Sequence, residues 1–328
     1  MEMFADHPGI LNLKKQAEAL FDDQLQNWDL AKANYRSLQK VVTKHLPFSG
    51  QAEIRVQYNP ERIYSTSAKV DPKSVSERPC FLCPVFLPQK QKAVPFKHDY
   101  LVLVNPFPIF PRHLTIPYKD HIPQQLSGRF SDMLDLARAL DDFVVFYNGP
   151  RCGASAPDHF HFQAGIKGFM PIDDDFEKPL KVLLGEQNGS KIWSLENYLR
   201  HILVFSSPDP QWLEEKLSHA VRVLSEFDKG HDEPMMNVLA SWNDDHWRIF
   251  LFPRKAHRPW QFFAEGPQQI LLSPAAVDMG GVLIIPRQED FDKLNLQSSQ
   301  DIFSQVTLEA EHWEQLKSAL LKSFYDGS

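Results

Sequence analysis

The chain has 328 residues, 43% of them hydrophobic and 12% aromatic, so it can bury the core of one large or two smaller domains and is neither disordered nor fibrous. A formal net charge of −7 leaves no global basic field for holding long nucleic acids, so any phosphate ligand must meet local Arg and Lys residues. No apolar run approaches a membrane span, and the start from Met1 to Pro8 has no basic region followed by an apolar one; a cytoplasmic protein with no membrane partner is expected.

From Leu11 to His45 apolar residues recur near helical spacing, which predicts one or two amphipathic helices. Glu53 to Asn59 alternates as a strand, and the polar stretch up to Arg78 reads as loop; Arg55, Arg62 and Lys69 around this region are candidate phosphate clamps. Three cysteines, Cys80, Cys83 and Cys152, cannot form an all-paired framework, which favours a reducing compartment. Cys80-Phe81-Leu82-Cys83, between Pro79 and Pro84, reads either as half of a tetrahedral metal site or as two buried thiols. The other ligands would be histidines, with His121 and His159 as candidates. A thioredoxin-like role is disfavoured because no helix starts at Cys80.

Asp99–Asn105 and His113–Pro117 read as strands around the proline-rich turn Pro106–Pro111. A helix over Ser131–Asp142 and a strand over Phe143–Tyr147 follow. The next segment runs from Gly153 to Gln163 and sets His159, His161 and Gln163 two residues apart, on one face of a strand, with Phe160 and Phe162 on the other. His161 is the candidate nucleophile, because a neutral imidazole offers a lone pair near pH 7 and can attack an α-phosphorus when its other nitrogen is held. A histidine packed structurally on a sheet is the plain alternative. The loop from Asn148 to Ser155 supplies backbone N–H groups and a hydroxyl suited to phosphate oxygens.

Beyond a loop-rich bridge from Asp173 to Ser190, the pattern partly recurs. It gives a strand over His201–Ser206, a helix over Pro210–Lys229, strands over Met235–Ser241, Trp247–Phe252 and Gly281–Ile285, and a closing helix. Arg254–Arg258 reads as a phosphate clamp or a solvated turn, and Asp278 is the single charge in the small, apolar segment Ser273–Gly281. The expected fold is α+β, in two related halves over residues 1–185 and 186–328, each an antiparallel sheet with flanking helices.

The combination of Asn105 to Pro117, Asn148-Gly149 and His159-Phe160-His161-Phe162-Gln163 resembles the transferase branch of the histidine-triad superfamily, in which the last triad position is Gln. That branch holds the GDP-L-galactose phosphorylase, galactose-1-phosphate uridylyltransferase and diadenosine tetraphosphate phosphorylase families. Val56 to Asn59 with Arg62, and Ser273 to Val277 leading into Gly281, are similar to the first of these. The resemblance implies a histidine-triad-like fold and a nucleotidyltransferase in which His161 is transiently nucleotidylated. Gln163 then bonds the phosphoryl oxygens, and Ser155 joins the catalytic group. Nucleotide and phosphate contacts fall to Arg55, Arg62, Lys69, Asn105, Arg112, Asn148 and Gly153. By the same resemblance Cys80, Cys83, His121 and His159 match a structural zinc site. The expected partners are a nucleotide sugar or dinucleotide and phosphate or a sugar phosphate, and a homodimer is allowed. The rivals are a hydrolase of the same fold, which Gln163 disfavours, and a non-catalytic nucleotide-binding protein.

Overall fold

The computed structural model describes residues 12–49, 52–63, 74, 77–178 and 181–324. Helices α1 (Leu13–Asn27) and α2 (Asp29–Ser37) open the chain as the spacing predicts, with Leu13, Ala17, Leu20 and Phe21 buried along one side of α1. The expected helix does not reach His45. Residues from Val42 to Phe48 instead form strand β1, paired antiparallel with β2 (Ala52–Tyr58) from Val42↔Tyr58 to Phe48↔Ala52. This strand lies at a sheet edge, where Pro47 costs little.

The strands β3 (Ala93–Phe96), β4 (Tyr100–Val104), β5 (His113–Pro117), β6 (Phe143–Asn148) and β7 (His161–Ile166) come from the first half. The second half supplies β8 (Lys181–Gln187), β9 (Ser190–Leu195), β10 (Leu203–Ser207), β11 (Met236–Asn243) and β12 (His246–Pro253). All ten join in one sheet of order β3-β4-β5-β7-β6-β11-β12-β10-β9-β8. Every pairing in it is antiparallel. From its outer edge inward, each half enters its strands in the same chain order, and each places one helix, α3 (Phe130–Ala139) or α4 (Pro210–Phe227), after its third strand. The expected two sheets are thus one continuous sheet, closed at the seam by β6 and β11, with Asn148 opposite Asn237.

Three further expectations change. The bridge from Asp173 to Ser190 holds the β8–β9 hairpin, turned by Asn188 and Gly189 at φ 50° and 80°, the left-handed pair that a tight hairpin requires. A division at residues 185/186 therefore falls inside β8. Strand β13 (Val282–Ile285) leaves the second half and pairs parallel with β2, completing a separate sheet of order β1-β2-β13. Finally, β7 begins at His161, so His159 lies in the loop before it.

The two sheet faces carry separate cores. Helices α1, α3, α4 and the last helix, α5 (Ala310–Lys322), cover one face, where Phe160 and Phe162 are fully buried. Each of these rings contributes about 2–3 kcal/mol by leaving water. The three-stranded sheet and the segment that contains Ala276, Met279 and Phe303 cover the other face. Alternation along β7 sends Phe162 to the helix side, where Phe160 just before the strand also lies, and leaves His161 and Gln163 on the opposite side.

Candidate active site and metal centre

His161 and Gln163 open onto a cavity of about 620 Å³ lined by both halves. The first half contributes Arg62, Asn105, Asn148, Gly153 and Ser155, and the second contributes His257, Arg258, Ser273 and Asp278.

The His161 ring is held by its own strand. Nδ1–H donates to the His159 carbonyl at 2.8 Å, and because a carbonyl only accepts, the lone pair is left on Nε2. Burial pushes the imidazole down to about 4, so it is neutral near pH 7. Gln124 fixes the strand entrance: Oε1 accepts the His161 backbone N–H at 2.8 Å, while Nε2 donates to the carbonyls of Asn148 and His161.

Gln163 is oriented through His113. The Ile109 backbone N–H donates to His113 Nδ1 at 3.2 Å, so the proton sits on Nε2 and donates to Gln163 Oε1 at 2.9 Å. The Gln163 amide nitrogen is therefore the end available to the cavity. Burial, with the Arg62 charge nearby, pushes His113 down to about 3 and keeps it neutral. Neither His113 nor Gln124 is singled out in the sequence, since each acts through a partner far along the chain.

The other expected nucleotide contacts divide. Arg62 is half-buried, donates to the Phe107 carbonyl at 2.8 Å, and is pushed down to about 10 by desolvation, which the Asp278 charge opposes. Asn105 and Asn148 line the cavity at the ends of β4 and β6. Gly153 adopts φ +97°. Arg55 is not brought to the cavity; it pairs with Glu53 at 2.7 Å and donates to the Phe169 carbonyl. Arg112 is also outside it, half-exposed, with Glu18 at 3.6 Å. Lys69 lies outside the described residues. Arg254 is no solvated turn: it is buried among backbone carbonyls. Asp278 accepts the N–H groups of Ala275 and Ile284, and burial raises it to about 6.

Beside the cavity, Cys80, Cys83, His121 and His159 bring four ligand atoms within 4.8 Å of one another. Cys80 Sγ lies 3.2 Å from His159 Nδ1, and Cys83 Sγ lies 3.2 Å from His121 Nδ1. Ligands around a tetrahedral zinc stand roughly 3.3–3.8 Å apart, so the set fits with slight closure. Both outer ring nitrogens are held as metal-bound imidazoles need, His159 Nε2 by the Tyr118 carbonyl at 2.7 Å and His121 Nε2 by Asp158 at 3.3 Å. Burial opposes ionisation of Cys80, but hydrogen bonds from His159 and the backbone overcome it and bring the thiol to about 6. Burial and the neighbouring Cys80 raise Cys83 to about 11. The four residues could hold a metal ion.

A ten-stranded sheet of two equivalent halves, with His161 and Gln163 on one strand and His159 in the approach to it, is a histidine-triad-like fold. Family models divide the chain in the same way: Domain of unknown function (DUF4922) matches residues 20–166, and the GDPGP1-like, C-terminal domain matches residues 176–326. GDP-L-galactose phosphorylase 2 of Arabidopsis thaliana is 27% identical over 231 residues, 67% of this chain and 51% of that protein. The chain thus spans about half the length of this relative. The crystal structure of yeast Ap4A phosphorylase Apa2 in complex with Ap4A matches with a TM-score of 0.59 at 18% identity, covering 90% of this chain and 97% of that one. The same protein in complex with AMP matches with a TM-score of 0.56, also at 18% identity, over 87% and 97% of the two chains. The chain has the fold of these histidine-triad-like phosphorylases and is similar to them in sequence.

Proposed function

We propose that the chain is a nucleotidyltransferase of the phosphorylase type, which cleaves a nucleotide sugar or a dinucleoside polyphosphate by double displacement. The observation that carries this reading is the buried, neutral His161, whose Nδ1–H is committed to the His159 carbonyl while Nε2 keeps its lone pair. In the first step Nε2 bonds to the α-phosphorus, the bond from phosphorus to the leaving oxygen breaks, and its electron pair departs with that oxygen. The positive charge on the nucleotidyl-imidazolium is shared with Nδ1–H and the carbonyl it meets. Phosphate or a sugar phosphate then attacks the same phosphorus and returns the lone pair to Nε2. The Gln163 amide and the Arg62 guanidinium offset charge on the phosphoryl oxygens, and Ser155, Asn105, Asn148 and Gly153 complete the cradle.

The proposal assigns zinc to Cys80, Cys83, His121 and His159 as a structural ion that fixes the loop from Cys80 to Cys83 and the approach to β7. No step passes through it. Among the described residues no helix is long and apolar enough to cross a membrane. A cytoplasmic setting, where the thiols stay reduced, belongs to the same proposal. So does the division into an N-terminal half with the His-x-His-x-Gln site and a C-terminal half, and a homodimer stays compatible with it.

GDP-, ADP- and UDP-sugars and dinucleoside polyphosphates, each incubated with and without phosphate, test the reading. Phosphate-dependent release of a nucleoside diphosphate is expected. Release of a monophosphate without phosphate points to the hydrolase, and tight binding without product to a binding protein. His161→Ala should lower turnover at least about 10³-fold with the fold intact. Unchanged turnover refutes the nucleophile.

A further inference from the structure

Arg254 lies one strand beyond the seam, in the second half, and is only 3% exposed. All its donors are used: Nε bonds the Val306 carbonyl, Nη1 bonds Asn237 Oδ1 and the Pro274 carbonyl, and Nη2 bonds the carbonyls of Ala256 and His257. A guanidinium cannot accept, so the amide of Asn237 must turn its oxygen to Arg254. Asn237 Nδ2 then donates across the seam to Asn148 Oδ1 at 2.9 Å and to the Cys152 carbonyl at 2.8 Å. The Ala276 backbone N–H donates to the same Asn148 oxygen at 2.8 Å. With its oxygen doubly claimed, Asn148 has Nδ2 left for the cavity, and among the described residues that nitrogen has no protein acceptor.

We infer that Arg254 and Asn237 are positioning residues for phosphoryl transfer, acting through Asn148 to hold an amide donor toward the phosphoryl group. Resting on the transfer reaction proposed above, this assigns the second half a part in the chemistry of the first, exerted through Asn148. An isolated asparagine turns over at little cost; this one is fixed by a donor whose direction cannot reverse. His113 does the same for Gln163, so two amide nitrogens are oriented by two separate relays.

Asn237→Asp tests the relay. Its carboxylate presents oxygen both to Arg254 and to Asn148, and facing that charge outweighs the one Ala276 N–H, so Asn148 turns over, donates to Asp and shows its oxygen to the cavity. With whichever of the GDP-, ADP- and UDP-sugars and dinucleoside polyphosphates above the wild type turns over fastest, kcat/KM should fall about 100-fold, the usual effect of losing one such donor. In an Asn148→Ala background the same substitution should cost less than about 3-fold, because the group through which it acts is gone. Asn237→Ala leaves the Ala276 N–H to orient Asn148 and should cost about 10-fold, again vanishing beside Asn148→Ala. If Asn237→Asp does not fold by circular dichroism, the Asn237→Ala cycle decides the matter. Equal factors in both backgrounds overturn the relay alone. A wild type that turns over no member of that panel overturns both the relay and the reaction on which it rests.

Discussion

Gly153 packs where the two halves touch, and replacing it with Ala has two separable costs. At φ +97° an L side chain loses about 1–2 kcal/mol. The new Cβ would also stand 2.6 Å from Ala275 Cβ and 3.2 Å from Ala275 Cα. Ala275 precedes the short helix Ala276–Met279, whose cap it forms with Asp278, so it cannot retreat cheaply. Overpacking of this kind costs about 1–3 kcal/mol. The stiffer unfolded chain returns about 0.4–1 kcal/mol. The net is roughly 3 kcal/mol. At about 2.1 cal/mol/K of unfolding entropy per residue, a chain of this length loses about 1.5 °C in Tm for each kcal/mol, so Gly153→Ala should lower Tm by about 4–5 °C. Gly128→Ala is the control: its φ is +76° with nothing within 4 Å, so it carries the backbone cost alone and should lower Tm by about 1 °C. Differential scanning calorimetry on the two variants measures the difference. If Gly153→Ala costs no more than Gly128→Ala, the contact with Ala275 is not tight and the reasoning fails.

Metal analysis of a purified Cys80→Ser variant should show the ion lost together with thermal stability; full metal retention would refute the ligand set. Glu233 is buried and raised to about 7, chiefly by burial, while Tyr147 and the backbone N–H groups of Leu126 and Ser127 oppose the shift. Its folded value lies above its unfolded one, so its contribution to stability is complete below about pH 4.5 and is lost as pH rises through 7, about 3 kcal/mol in all. Glu233→Gln should remove this part of the fall in urea-unfolding free energy between pH 4.5 and 8, leaving the part that comes from Asp173 and Asp278, both raised to about 6. An unchanged pH profile would show that Glu233 titrates normally in the folded chain.

Local pattern was enough to read β2, β5, β6 and the opening helices, because their apolar spacing matches the faces they bury. It also brought His159, Cys80, Cys83 and His121 together, since those residue types have few other reasons to share a loop and a strand approach. The β8–β9 hairpin had a clear signal in Asn188-Gly189, but its strands are weakly apolar, with Val182 and Leu183 about half exposed. Strand β1 was hidden by Thr43, Lys44 and His45, which continue a helical pattern as readily as they line a sheet edge. Positions that depend on tertiary partners could not be read. Arg55 has its charge taken by Glu53 two residues away, whereas Arg254 is drawn inward by carbonyls from segments as distant as Val306. His113 looks like any first residue of a strand until Gln163 is placed beside it.

The repeated strand order gives the second half its own counterpart of β7, which is β12, yet the approaches to the two strands differ. Residues 149–160 join β6 to β7 and carry Gly153, Ser155, Asp158 and His159. Between β11 and β12 there are only Asp244 and Asp245, at φ 47° and 61°. A turn that tight has no length in which to fold around a substrate or reach a metal. The same five-strand plan is therefore occupied twice and furnished once, and the asymmetry lies in that connection and in the strand after it, where the His161-Phe162-Gln163 of β7 gives way to the His246-Trp247-Arg248 of β12. A second site of this kind in the chain would require both the longer connection and the His-x-Gln pair of β7.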